Sequence, residues 1–551
     1  MTALVNPLPT KGPTGPRDVL FVNCSVITMQ PVTMQPHVRS ASAVALRGDR
    51  VLAVGNEEEL RPRLAPGAQI VDGQGGCLLP AFHDCHVHLT QHGFELSQLN
   101  LHSAANLDEG LRRVAAHAVN VPAGSWILGA GFGLQRWGLQ KVDRGMLDRV
   151  VPDHPVLLRS QDHHSAWVNS LALQRAGVSS ATPSPPDGTV VRDRRGEATG
   201  LLLERALHLV WDKIPAPHSS EIAQAVARAG DDLASRGIAT VHHMAYEPAA
   251  YWREVAQAAS RDEFPLRVWA CVNQEDIEHA SAVGIASGQG GGNFAIGGAK
   301  FFADGALGSR TAWMLEPYLG GSERGVAVHG PEVLAERYPL AIEAGLTPVT
   351  HAIGDAAARA VLDALEATAP QWRGKGMRPR LEHAQHLAAD DVARLARLGV
   401  IASMQPIHLT FDVPSVEALL GDRKDRAYRI RSLLDAGVPL AFGSDTPVAP
   451  PDVFEGLRAA CRRIGVEGNV LCPQQAISVQ QALHAYTGGA AYAIGRDGRS
   501  GRLVSGFDAD LVLLSHNPLE SLDELNVLAT IKGGQPTYDP AGLVSAGYTR
   551  S

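Results

Sequence analysis

Two histidines stand two residues apart in the stretch DCHVHL (residues 84–89), directly after the apolar run GCLLPAF (residues 76–82). In an extended strand, side chains at i and i+2 share a face. His86 and His88 therefore point together, and Cys85 and Val87 point the other way. Two imidazoles aimed into an apolar interior are costly unless something satisfies them. A divalent cation does so, with each ring nitrogen about 2.0–2.1 Å from the ion. A lone H-x-H pair is equally compatible with an ordinary polar strand end, so further donors have to come from elsewhere in the chain.

Four other apolar runs supply them. Lys300 lies in GGAKFFADG, His351 in PVTHAIGD, His383 in RLEHAQ and Asp445 in AFGSDTP. Taken singly, each has a plain explanation: a satisfied strand-end histidine, a snorkelling lysine, or a turn or helix-capping aspartate. All of these would have to hold at once. Four histidines, a lysine and an aspartate closing successive strands favour a binuclear metal site. Imidazole with carboxylate suits zinc, and manganese, iron or cobalt are compatible.

The elements that must carry these residues are legible as alternation. Strand-like runs at GCLLPAFHDCHVHL, GIATVHHM, PLRVWACVN, AIGGAKFFADG, GLTPVTHAIGD, RPRLEHAQ, GVIASMQP and VPLAFGSDTP are interleaved with helix-like stretches such as EIAQAVARAGDDLASRG and DAAARAVLDALEATA. Eight strands alternating with helices predict an α/β fold, a (β/α)8 TIM barrel, whose catalytic residues sit at the C-terminal strand ends. A doubly wound sheet alternates too. The expected organisation is a leader at 1–18, a composite β-sandwich from 19–80 plus 496–540, and a barrel over 81–495. An insertion at about 100–220, rich in Trp, Gly and His, interrupts the barrel after its first strand.

At 551 residues the chain exceeds one ordinary core. A net charge of −8 and the absence of a Lys/Arg block argue against nucleic-acid or anionic-membrane partners. Six cysteines without C-x-x-C spacing suggest neither a disulfide framework nor a zinc finger. With no apolar signal segment and no long apolar span, a cytoplasmic enzyme with a small-molecule substrate is expected, as a possible homodimer.

The ordered set of HVH, Lys300, His351, His383 and Asp445, flanked by split β-strands, resembles the amidohydrolase superfamily. The strings KFFADGALGSRTAWMLEPY, HAIGDAA, LEHAQ, SMQPIHLT and AFGSDTPV are similar to its amidohydrolase-3 (YtcJ-like) branch, which includes N-substituted formamide deformylases. The resemblance implies that His86 and His88 hold one metal and His351 and His383 a second. It implies that Lys300, carbamylated by CO2, bridges the two, and that Asp445 binds the first metal and acts as the base. Another branch bridges with a cysteine, for which Cys271 would be the candidate, ranked below Lys300. The expected reaction is hydrolysis of a non-peptide C–N bond by a metal-activated hydroxide, since bound metal lowers the pKa of water to about 7. Two rivals remain: a mononuclear deaminase-like or ester-cleaving enzyme on the same site, and an inactive scaffold.

Substrate groups are less determined. His408 is a candidate oxyanion donor or a packing residue, and Arg310 a carboxylate binder or a loop anchor. His163, His164 and Trp167 are candidates to reach the pocket from the insertion. His243 stands where relatives carry an acid, and Asp355 is expected to cap the helix that follows it.

Overall fold

The computed structural model describes residues 18–30, 41–134, 137–139, 141–160, 165–185, 188–244 and 247–545. The leader expected at 1–18 lies almost wholly outside them, as do His163 and His164. The chain forms two compact units, Met1–His92 with Val226–Ser551, and Gly93–Ala225.

The first unit holds eight parallel strands, labelled here β1 (Phe82–Val87), β2 (Ile238–His243), β3 (Arg267–Asn273), β4 (Phe294–Phe302), β5 (Pro348–Ala352), β6 (Arg380–His383), β7 (Ile401–Met404) and β8 (Leu440–Phe442). Each pairs with the next in sequence order. Several are buried along their whole length, which is why they read as continuous apolar runs rather than alternating ones. Helices such as Asp355–Ala367 and Ala389–Leu398 follow the strands in the chain and connect each to the next. The ring closes just beyond the strand ends: Asp445 N donates to His86 O at 2.7 Å and His88 N to Thr446 O at 2.8 Å. The architecture is a nearly closed (β/α)8 barrel.

Both chain ends build the remaining layers of this unit. One sheet contains Asp18–Val22, Ala43–Arg47, Arg50–Gly55 and Gln69–Asp72. The other joins Ser25–Val26 and Cys77–Pro80 to Leu511–Leu514, Val527–Lys532 and Gln535–Tyr538. Phe21, Val44 and Leu46 from the first sheet share one core with Leu78, Leu511 and Ile531 from the second. Asp508, buried, takes ion pairs from Arg50 at 2.6 Å, Arg496 at 2.6 Å and Arg499 at 2.8 Å. It thus ties the first sheet to the segment that follows the last barrel helix.

The second unit has its own six-stranded sheet, with Leu99–Asn100 at one edge and Gly188–Arg192 at the other. Within its largely aliphatic core, Phe132, Trp137 and Trp167 pack with ring centroids 6.0–6.5 Å apart. The Trp content of the 100–220 stretch is thereby accounted for as a hydrophobic core.

Candidate metal centre

The C-terminal ends of β1 and β8 bring three donors together. His86, His88 and Asp445 place ligand atoms within 4.8 Å of one another, and His383, His408 and Asp445 form a second such group. Asp445 Oδ1 lies 3.4 Å from His86 Nε2 and 3.3 Å from His88 Nε2. The His351 ring adjoins His383, with centroids 4.4 Å apart, and His383 lies 4.9 Å from His86.

Backbone strain makes this convergence possible. His383 has φ +67 and Asp445 φ +64, left-handed conformations for residues with a Cβ. Such residues cost about 1–3 kcal/mol each and persist where the surroundings over-determine them. Adjacent strand residues ordinarily face opposite ways. The turn at His383 lets it and Glu382 both reach His86: Glu382 Oε2 lies 2.7 Å from His86 Nδ1. The carboxylate can only accept, so Nδ1 carries the proton and Nε2 faces Asp445.

Glu382 is itself held by a buried guanidinium. Arg380 Nε donates to Glu382 Oε1 at 2.8 Å, and the same side chain donates to Cys85 O, Ser403 Oγ and His242 Nδ1. Burial pushes the Glu382 carboxyl up, but Arg380 and His86 outweigh it and bring its pKa down to about 2. Asp84 works alongside: its Oδ1 accepts from His86 N at 3.2 Å and Ser444 N at 2.9 Å, and its Oδ2 from the Ser444 hydroxyl at 2.5 Å. It clamps the ends of β1 and β8 together.

Lys300 is fully buried on β4, and among the described residues its Nζ has no hydrogen-bond partner. The amine lies 4.8 Å from the Phe302 ring centroid. Burial lowers its pKa, opposed by Glu382, Cys271 and Asp445. Burial, with the Lys300 charge next, takes His86 down to about 4 and His351 to about 3. These imidazoles are neutral at pH 7, the form that ligates metal. His383 Nδ1 has no hydrogen-bond partner among the described residues either. A buried set of neutral imidazoles, an anionic carboxylate and an unsatisfied amine fits a divalent cation.

Other sequence candidates fall elsewhere. His351 Nε2 donates to Gly305 O at 3.0 Å, which leaves Nδ1 for a ligand role. His408 Nε2 donates to Ser444 O at 3.0 Å and so braces the residue before Asp445. Arg310 is exposed at φ +56 on the loop after β4, and no hydrogen bond or ion pair holds its guanidinium among the described residues. Trp167 is a correction: it is fully buried in the second unit, and its indole N–H donates to Asp143 O at 3.0 Å. Cys271 is buried beside Met244 Sδ at 3.9 Å, and burial pushes its thiol up to about 12, a poor state for a ligand. Asp355 is a second correction. Its carboxylate accepts from Leu315 N and Arg426 at 2.8 Å each, and Gly354 is the N-cap. His243 is buried and accepts from Leu89 N at 3.3 Å, with the acid Glu247 Oε2 3.5 Å from its other nitrogen.

Sequence reasoning missed Arg380, Glu382 and Asp84. The signal was present for the first two, since opposite charges at i and i+2 in a buried strand share a face and must pair.

A family model, Amidohydro_3, described as amidohydrolase family, matches residues 69–538. The protein LONG AFTER FAR-RED 3 of Arabidopsis thaliana is 34% identical over 545 residues, covering 95% of this chain and 91% of that protein. The N-substituted formamide deformylase of Arthrobacter pascens is 29% identical over 558 residues, covering 96% and 99%. Among solved structures, an uncharacterized metal-dependent hydrolase from Pyrococcus furiosus aligns with TM-score 0.76 and 27% identity, covering 91% of this chain and all of that one. The likeness runs through the barrel and the strands at both ends of the chain, and we conclude that the protein belongs to the amidohydrolase family of hydrolases.

Proposed function

We propose that this hydrolase cleaves a C–N bond of amide or N-substituted formamide type in a small molecule, with one or two divalent cations. The observation that carries the reading is the convergence of His86, His88 and Asp445 beside His383 and a buried, unsatisfied Lys300. The deformylase relative supports the bond type. His86, His88 and Asp445 would hold one ion, and His351 and His383 the second, with zinc favoured and manganese, iron or cobalt compatible. When bound, the metal supplies Lewis acidity, polarising the carbonyl and acidifying water.

The residues of the chain do the rest. A desolvated amine is available in its neutral form, so Lys300 could form a C–N bond to CO2 with release of a proton, giving an anionic carbamate that would help to hold the ions. Asp445 accepts the proton of the attacking water and delivers it to the leaving nitrogen, without which an amine is a poor leaving group. Glu382 keeps His86 in the tautomer with Nε2 turned inward. His408, its Nε2 given to Ser444 O, braces the turn that carries Asp445, and Arg310, exposed and with no side-chain partner among the described residues, suits a carboxylate on the substrate. The protein is proposed to work in the cytoplasm, in keeping with its six free cysteines; among the described residues no helix is long and apolar enough to cross a membrane.

Elemental analysis of protein purified without chelator or histidine tag, followed by an amide and formamide panel, tests this reading. About two ions per chain and turnover of the panel are expected. About one ion would favour a mononuclear deaminase-like or ester-cleaving enzyme. Protein that stays metal-free after incubation with zinc and bicarbonate would overturn the mechanism in favour of an inactive scaffold.

A further inference from the structure

Asp445 has a strained backbone, and a different side chain holds each of its neighbours. Ser444 is held by Asp84. The Thr446 hydroxyl lies 2.9 Å from His92 Nδ1, and His92 Nε2 lies 2.9 Å from Asp232 Oδ2. Thr446 and His92 are buried, at 1% and 4% exposure. Asp232 also takes two hydrogen bonds from Arg236, at 2.9 and 3.1 Å. Burial would raise its pKa, but His92 and Arg236 bring it down to about 2, so it is a carboxylate at neutral pH. A carboxylate only accepts, so His92 Nε2–H donates to Asp232, and the Nδ1 side of the ring is left to hold the Thr446 hydroxyl.

The row Asp232–His92–Thr446 has the residue types of a nucleophilic triad, yet the hydroxyl is sealed from solvent and can attack nothing. Its reach is through the backbone. Thr446 O accepts from His88 N at 2.8 Å, and Thr446 N donates to Ser444 Oγ at 3.1 Å. Thr446 is thereby tied to both the histidine pair and the residue before Asp445. His92 lies in the helix Leu89–Ser97 and Asp232 in Ser219–Ser235, the helices by which the chain leaves the barrel unit and returns to it.

We propose that His92, oriented by Asp232, is a positioning residue. By clamping the Thr446 hydroxyl it fixes the left-handed turn that presents the Asp445 carboxylate to the metal. This rests on the reading of Asp445 as a ligand. Partners at this remove from a metal are generally worth about 10–100-fold in its affinity.

The test compares wild type with Thr446→Val, Thr446→Ser and His92→Phe. The readouts are zinc affinity by chelator competition, the visible absorption of the cobalt(II)-substituted proteins, and thermal unfolding of the metal-free forms. Thr446→Val and His92→Phe are expected to bind zinc about 10–100-fold more weakly with an altered cobalt spectrum. Thr446→Ser, which keeps the hydroxyl, is expected to restore both. Wild-type affinity and spectrum in Thr446→Val would overturn the proposal, as would a Thr446→Ser variant as impaired as Thr446→Val. The same holds for a change confined to metal-free unfolding. The Thr446 pair carries the test alone if His92→Phe does not fold. Wild-type protein that binds no zinc would instead overturn the metal-dependent reading, and this inference with it.

Discussion

His86 shows how little of a site is its ligands. One ring nitrogen faces Asp445 and the other is held by Glu382, which Arg380 holds in turn. Glu382→Gln keeps the shape but removes the anion that fixes the tautomer. Zinc affinity should fall about 10–100-fold, read by chelator competition, and unchanged affinity would remove the tautomer argument. Arg380→Leu should be worse for the fold than for the site. It strands a buried carboxylate, at a cost of about 3–5 kcal/mol, measurable by urea unfolding of the metal-free protein. The donor residues were readable because each interrupts an apolar run with a chemistry-bearing side chain. Their supports were not readable in the same way. Arg380 and Glu382 left a pairing signal within one strand, whereas His92 and Asp232 sit 140 residues apart on amphipathic helices and carry no local mark.

Elements set the tolerances. At the seam between β1 and β8 the backbones approach so closely that only glycine fits at 443. A methyl there would lie 2.6 Å from Asp84 Oδ1 and from His86 N, and 2.8 Å from Cys85 N. Gly443→Ala should therefore push the strand ends apart, lowering both stability and zinc affinity. A variant that melts and binds like wild type would show that the seam is pliable. The barrel strands were legible because parallel strands buried on both faces are rich in apolar residues, which the chemistry-bearing side chains then interrupt near the strand ends. The second unit was legible only as an interruption. Its aromatic residues suggested a ligand-facing role for Trp167, but a mixed six-stranded sheet needs its own core and spends that indole there.

Over the whole molecule, a bound metal would add to the stability that ion pairs contribute. A cation that binds only the folded chain, at about 100 times its Kd, adds about 2.7 kcal/mol. Chelation should lower the unfolding temperature and zinc restore it, whereas superimposable melts would argue against a site formed only on folding. Acid should act at Asp508. Burial alone would raise its pKa, but Arg499, Arg267 and Arg496 hold it below its ordinary 3.8. A depressed folded pKa means stability present above pH 3.8 and lost as pH falls through the folded value. Asp508→Asn should thus be less stable than wild type by about 2 kcal/mol at pH 7, its partly exposed arginines keeping the figure modest. The gap should narrow below pH 3.8, as denaturant titrations at several pH values would show. The barrel seam has a consequence in time as well as in space. The bonds that close the ring join residues near 86 to residues near 445, and they are the same bonds that set His86, His88 and Asp445 face to face. A chain emerging from the ribosome from its N-terminus has its histidine pair early and its aspartate only after about four-fifths of its length has been made. Such long-range closure is slow to form in folding, so nascent and truncated chains would hold only part of the donor set, and any competence for metal would arrive together with the finished barrel.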